Sequence, residues 1–224
     1  VTADSSQAPV GQIVMGTTGN PLATFRFTET SNAENVKITS LNVLEQVGSS
    51  SLVKAGYSNL QLWSGSSAIG TAGAPVVVAS SSGYIYQFNF GTPLIVPQAN
   101  SISLVLKGDA ATYASSGSTD NATSSFQIAT TTDNGSNSSA PANGTTTLTV
   151  IALGATSNAS SAVTLTSAAG NNQTLLRSKL TFAATPLGAT SGRGKISSDS
   201  LATLSFTANN SGPIAINTVI VTFS

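Results

Sequence analysis

The 224-residue chain contains no cysteine and no histidine. Without cysteine it can form neither a disulfide framework nor a thiolate metal site. Without histidine, a Ser-His-Asp triad, a Cys-His pair and a histidine-ligated zinc site are all excluded. These two absences remove the commonest kinds of catalytic centre.

Charge is also scarce, because only 7% of the residues are charged, with 8 basic and 8 acidic side chains in balance. An average globular protein has about 25% charged residues. Near-zero net charge leaves little repulsion between copies and favours self-association. We expect no nucleic-acid partner, since the few basic residues form no patch that could displace phosphate counterions.

No apolar run approaches the roughly 18 residues that cross a bilayer, so no membrane span is predicted. Apolar residues nevertheless make up 40% of the chain, enough for a packed core in one large or two modest domains. We interpret the start at Val1, rather than at Met, as a sign of a removed leader, and expect an extracellular protein at the cell surface.

Short runs of alternating apolar residues, separated by Gly, Ser and Asn turns, dominate the chain, and the 3.6-residue period of helices is nearly absent. This pattern predicts an all-β protein, an antiparallel β-sandwich of Ig-like or Greek-key type. The predicted strands are Val10–Met15, Leu22–Thr28, Val36–Leu44, Asn59–Trp63, Val76–Ala79, Tyr84–Phe90, Ser101–Lys107, Phe126–Thr130, Thr145–Leu153, Ala162–Thr166, Thr174–Ala183, Leu201–Thr207 and Ile214–Phe223.

One strand sequence occurs twice: ATFRFT at Ala23–Thr28 returns as ATLSFT at Ala202–Thr207. Internal similarity of this kind predicts one architecture used twice. We therefore predict a β-sandwich domain over residues 1–172, with a Ser/Asn-rich loop near 131–145. Residues 173–224 are predicted to begin a second β-sandwich repeat that is incomplete on its own.

The strand after each copy has an apolar alternation that slips by one residue. In the first copy the apolar face passes from Ile38 to Leu41, and in the second from Ile216 to Val219. Because a slip must be absorbed by an extra residue, it predicts a β-bulge near Ser40 and another near Thr218.

The second copy is rich in apolar residues but has too few strands to cover them. Further chain, another subunit or the first domain could complete it, and we favour a neighbouring subunit. The predicted assembly interface consists of Leu204, Phe206, Ile214, Ile216, Val219 and Val221.

Eight segments together form a recognisable pattern: Gly16–Gly19, Leu22–Thr28, Val36–Val43, Asn59–Trp63, Leu94–Pro97, Ser101–Lys107, Arg177–Ala183 and Leu201–Phe223. This pattern resembles the tandem β-sandwich repeats of envelope and surface-layer-like proteins of small-genome, uncultivated candidate-phyla bacteria. The resemblance covers most of the chain except its Ser/Asn-rich middle. It implies a structural role at the cell surface and supplies no catalytic residue.

The acidic residues lie mostly in predicted loops, and nothing in their spacing shows that two converge as glycoside hydrolysis would require. We interpret them as solvated turn residues, with calcium at domain edges as the alternative. No cofactor is predicted, and the protein is predicted not to be an enzyme. The acids are Asp4, Glu29, Glu34, Glu45, Asp109, Asp120, Asp133 and Asp199.

Tyr84, Tyr86, Phe88 and Phe90 alternate along one predicted strand. If exposed, these rings would form a platform for stacking on sugars; if buried, they would belong to the core. The regular alternation favours burial.

Asn-x-Ser/Thr sequons are frequent, and in a chain so rich in these residues many arise by chance. If the protein is glycosylated, we expect the polar stretch 131–145 to carry the sugars first. The sequons begin at Asn121, Asn134, Asn137, Asn143, Asn158, Asn172 and Asn209.

The sequence thus predicts a structural subunit of a bacterial surface layer, sheath or filament, whose partner is another copy of itself. The alternative is an adhesin or carbohydrate-binding surface module.

Overall fold

The computed structural model describes residues 1–48, 56–78, 83–113, 119–129, 150–166, 168–186, 201–209 and 213–222. The chain divides into two compact units, Val1–Leu176 and Arg177–Ser224. The described residues are all-β and contain no helix, as the alternating patterns predicted.

The described residues form the following strands. They are β1 (Thr2–Ala3), β2 (Gly11–Val14), β3 (Asn20–Thr28), β4 (Val36–Val47), β5 (Tyr57–Ser64), β6 (Ser67–Thr71), β7 (Val76–Val78), β8 (Gly83–Val96), β9 (Ser101–Ala110), β10 (Thr123–Ile128), β11 (Val150–Gly154), β12 (Gln173–Leu176), β13 (Leu180–Pro186) and β14 (Ala202–Ala208).

Two sheets make up the first unit. One has the order β1-β3-β9-β5-β6, and the other has the order β2-β12-β10-β4-β8-β7, with β11 also pairing with β4. Their pairings are antiparallel except for β2 with β12. Side chains from both sheets, such as Phe25 of β3 and Phe88 of β8, belong to one buried apolar cluster, so the sheets pack face to face as a sandwich.

The predicted bulge near Ser40 is confirmed. The register of β4 shifts between Ile38 and Ser40 against β8, and the same stretch is irregular against β11. Against β11 the extra residue is Thr39, and the bulge lets both Ile38 and Leu41 reach the core. Phe25, Phe27, Ile38, Leu41 and Val43 are buried, and Val36 packs partly buried against them.

Three predicted strands differ in the structure. Thr174–Ala183 is not one strand, because β12 pairs with β2 and β10 in the first unit whereas β13 belongs to the second. The predicted start of the second repeat at residue 173 therefore lies before the division seen in the structure. Ala162–Thr166 is not a strand and makes an isolated bridge from Thr166 to Thr2.

In the described part of the second unit, β13 pairs antiparallel with β14, and residues 213–222 are in no strand. The prediction of a second bulged strand at Ile214–Phe223 is therefore wrong. The physical reason is pairing: β4, the matching strand of the first unit, is held by β8, β10 and β11. The described residues of the second unit include no counterpart of these three strands.

Candidate assembly surface

The two described strands of the second unit, here called the small sheet, separate apolar from polar residues except at Ala183, which lies on the face of the threonines. Their register places Phe182 opposite Phe206 and Ala184 opposite Leu204. Because strand side chains alternate between faces, one face is rich in hydroxyl groups and the other carries only apolar side chains. We call the second face the apolar face. The apolar face consists of Leu180, Phe182, Ala184, Pro186, Ala202, Leu204, Phe206 and Ala208.

Every residue of the small sheet is exposed to solvent. Phe182 is 55% exposed and Phe206 37%, although their rings lie 5.2 Å apart and contact each other. Burying a Phe or Leu side chain is worth about 1.5–3 kcal/mol. A two-stranded sheet alone is marginal in water, so the apolar face gains substantially from any surface that covers it.

The structure separates the predicted interface residues into two groups. Leu204 and Phe206 lie on the apolar face. Ile214, Ile216, Val219 and Val221 lie in the segment without strand structure, where Ile214 is half-buried and the other three are exposed. Sequence reasoning left out the most exposed apolar residue of this segment, Ile220, because Ile220 falls between the alternating positions.

Four of the predicted turn acids hold loops together through hydrogen bonds. Glu29 accepts bonds from the hydroxyl of Ser31 and from the backbone N–H of Ala99, the latter at 2.7 Å. Glu34 accepts bonds from the Ser157 hydroxyl and from the N–H of Thr156 at 2.8 Å. Because these donors stabilise the charged form, they lower the pKa values of both carboxyl groups.

Asp4 and Asp109 also accept hydrogen bonds that hold loops together. The Ser103 hydroxyl and Ser6 hold the pKa of Asp4 at about 2. Asp109 accepts bonds from the N–H of Gly19 at 2.8 Å and from the amide of Asn59 at 3.0 Å. In the described part of the chain, no three acidic side chains converge on a point that could hold a metal ion, and Asp133 and Asp199 lie outside it.

Glu45 is the acid that sequence reasoning misplaced, because it is buried in β4 rather than solvated in a turn. Tyr86 and Ser124 donate hydroxyl hydrogen bonds to it at 2.8 and 2.9 Å, and the backbone of Gly56 donates another. Burial outweighs these bonds and raises the pKa of Glu45 to about 7. The sequence did contain a sign of this burial, because Glu45 lies two residues after Val43 and continues the alternating buried positions of Leu41 and Val43.

A cleft of about 570 Å³ opens at one end of the first unit, between the end of β3 and the strands β4 and β11. Its floor is apolar, with Phe27, Ile38 and Val150, and its rim carries hydroxyls such as Thr28 and Thr164. The cleft could hold a small apolar group. It offers no free carboxylate, because Glu29 at its rim accepts hydrogen bonds from Ser31 in its own loop and from Ala99 in the loop between β8 and β9.

The predicted burial of the aromatic strand is confirmed: Tyr84, Tyr86, Phe88 and Phe90 are all in the core. They therefore form no stacking platform for sugars. Trp63 lies at the rim of the core, with the ammonium of Lys107 at 4.0 Å from the centre of its ring.

The sequons fall into three groups. Asn121, Asn158 and Asn172 are exposed. Asn209 is half-buried, and its side-chain oxygen accepts a bond of 2.9 Å from the Ser178 hydroxyl at the base of the small sheet. Asn134, Asn137 and Asn143 lie outside the described residues, with the loop near 131–145.

Compared with known proteins, the chain matches no family model, no curated protein and no solved structure. Among the described residues, no helix is both long enough and apolar enough to cross a membrane.

Proposed function

We propose that this protein is a non-enzymatic structural subunit of an extracellular bacterial surface assembly, such as a surface layer, sheath or filament. The observation that carries the proposal is the apolar face, which is uncharged and exposed and which, among the described residues, is built on two strands that cannot cover it. The resemblance to surface-layer-like repeats supports the same role.

Two further properties favour self-association. The net charge is zero, so copies approach without long-range repulsion. The surface is dominated by short hydroxyl and amide side chains, which lose little side-chain entropy when they are packed. Contacts between copies therefore gain apolar burial at a small electrostatic and entropic cost.

Negative-stain imaging and sedimentation of the purified chain test the proposal. We expect ordered sheets or tubes that grow with protein concentration. Phe206→Asp, which places a charge on the apolar face, should leave dispersed particles. Thr207→Asp adds the same charge to the opposite face of the same strand and should assemble like the unchanged chain.

Two results would count against the proposal. One is a chain that stays dispersed at every concentration, and the other is equal loss of assembly in both variants.

The cleft supports a second candidate, an adhesin or carbohydrate-binding module. Sugar sites commonly stack a ring on an exposed aromatic side chain. The aromatic residue lining this cleft, Phe27, is buried, which makes this candidate weaker. A dispersed chain that binds defined oligosaccharides in titration calorimetry would favour it over the structural role.

A further inference from the structure

β14 uses only one of its two edges in the described residues, where it pairs with β13. The strand with the matching sequence in the first unit, β3, uses both edges and pairs with β1 and with β9. A free edge presents a row of N–H and C=O groups that another strand can bind.

The small sheet repeats the pairing geometry of β1 and β3, and β14 also repeats the sequence of β3. When the repeated segments of β3 and β14 are matched, Leu204 takes the place of Phe25. β1 pairs Ala3 with Phe25, and β13 pairs Ala184 with Leu204. The equivalent residues thus meet in the same antiparallel register, so the free edge of β14 corresponds to the edge of β3 that β9 occupies.

The hydrogen-bond phase of β14 agrees with this match. Asn209 donates its backbone N–H to the carbonyl of Lys179 at 3.3 Å. Because antiparallel partners exchange bonds at every second residue, Ser205 bonds toward β13. The backbone groups of Leu204 and Phe206 therefore point to the free edge.

The first unit shows which kind of strand fits such an edge. β9 places Ile102, Leu104 and Leu106 opposite the three apolar residues of β3 that face the core. Leu104 and Leu106 are completely buried there. The positions of β14 that match those three residues of β3 are Ala202, Leu204 and Phe206, so the matching strand needs an aliphatic residue opposite each.

β14 also lacks the features that usually block edge pairing. The strand has no charged residue and no proline along its length. Natural edge strands commonly carry lysine, proline or a bulge to prevent association.

We propose that the free edge of β14 is a docking site for a strand donated by another molecule. The donated strand is extended and antiparallel to β14, with an aliphatic residue at alternate positions, in the register that β9 takes on β3. This inference rests on the proposed function for one point, namely that the molecule donating the strand is a neighbouring copy in the assembly.

The absence of cysteine allows a direct test of the register. The full chain carrying Ser205→Cys is mixed, at a dilution where it is dispersed, with a synthetic peptide of residues 99–110. In β3 the matching position, Arg26, lies opposite Ser103, so the peptide carries Ser103→Cys. A control peptide carries Ser101→Cys instead, which in this register lies two residues away.

We expect disulfide formation with the first peptide at least ten-fold faster than with the control. In the unchanged chain, hydrogen exchange should show protection at the amides of Leu204 and Phe206 when the unmodified peptide is added. The same peptide with Leu104→Asp should give no protection.

Equal crosslinking of both peptides, or no protection of β14, overturns the docking site. Faster crosslinking between two copies of the Ser205→Cys chain also overturns it, because β14 would then pair with β14 of a second copy. These measurements use dispersed protein, so they are independent of imaging: assembly without peptide docking contradicts this inference alone, and docking without assembly contradicts the proposed function alone.

Discussion

The phenol of Tyr86 donates a hydrogen bond of 2.8 Å to Oε2 of Glu45 in the interior of the sandwich. Ser124 donates to the other carboxyl oxygen at 2.9 Å. Burial nevertheless prevails over these bonds and raises the pKa of Glu45 from 4.5 to about 7. A protein without histidine thus still contains a group that titrates near neutral pH.

We predict that the free energy of unfolding decreases as the pH rises from about 4.5 to about 7. In this window the folded chain keeps a proton on Glu45 that the unfolded chain has released, so protonation favours folding. The raised pKa corresponds to about 3 kcal/mol between the ends of the window. Urea unfolding at pH 5 and pH 8 measures the difference.

The matched control is Glu45→Gln, which keeps the shape and removes the charge. Tyr86 and Ser124 hydroxyls can accept as well as donate, so they can also bond an amide. The variant should lose the decrease between pH 5 and pH 8. An unchanged slope in this variant would mean that another group is responsible.

Glu34 should anchor the loop after β11. We predict that Glu34→Gln speeds hydrogen exchange at the amides of Thr156 and Ser157, which donate hydrogen bonds to the carboxylate. The loop held by Glu29 serves as an internal control, and exchange at Ala99 should not change. Equal acceleration in both loops would indicate general loosening.

The same carboxylates predict sensitivity to acid. The pKa values of Asp4, Glu29 and Glu34 are lowered by their hydrogen bonds. Their contribution to stability is present above their unfolded pKa values, near pH 4, and is lost as the pH falls. Together with Glu45, they place the predicted stability maximum at about pH 5. A maximum above pH 7 in urea unfolding across pH 3 to 9 would contradict this assignment.

Lys107 should stabilise the rim of the sandwich through Trp63. We predict that Lys107→Met lowers the free energy of unfolding by about 0.5–1 kcal/mol, the usual size of a partly exposed cation–π contact. Trp63 is the only tryptophan, so its fluorescence reports unfolding directly. The control is Lys37→Met, which removes an ammonium group that donates a hydrogen bond to Asn158 and does not contact Trp63. This variant should leave the Trp63 emission unchanged.

Ile216 tests whether the segment after β14 takes part in assembly. We predict that Ile216→Asp abolishes ordered assemblies, because a charge replaces an exposed apolar side chain. Unfolding of the first unit should be unaltered when followed by Trp63 fluorescence. Asn217→Asp places the same charge on the neighbouring residue and should still assemble. Intact assemblies of the Ile216 variant would limit the interface to the small sheet.

Sequence patterns predicted the sandwich well where they depended on near neighbours. The slip between Ile38 and Leu41 predicted the bulge, because the period of two leaves no other way to bury both side chains. The same reasoning failed for Ile214–Phe223, whose slip looks alike. A strand needs partner strands, and the described residues of the second unit include no counterpart of β8, β10 and β11, which pair with β4.

The sequence by itself therefore determined which segments can be strands and which face of each is apolar, since both follow from local alternation. Only the tertiary structure decided that Glu45 is buried beside Ser124, 79 residues away, because desolvation depends on what packs around a group. It also decided that β13 and β14 reproduce the register of β1 and β3. Among the described residues, no strand occupies the edge of β14 that corresponds to the β9-bound edge of β3. Pairing joins strands that are distant in the chain, and no local pattern records which partners are present.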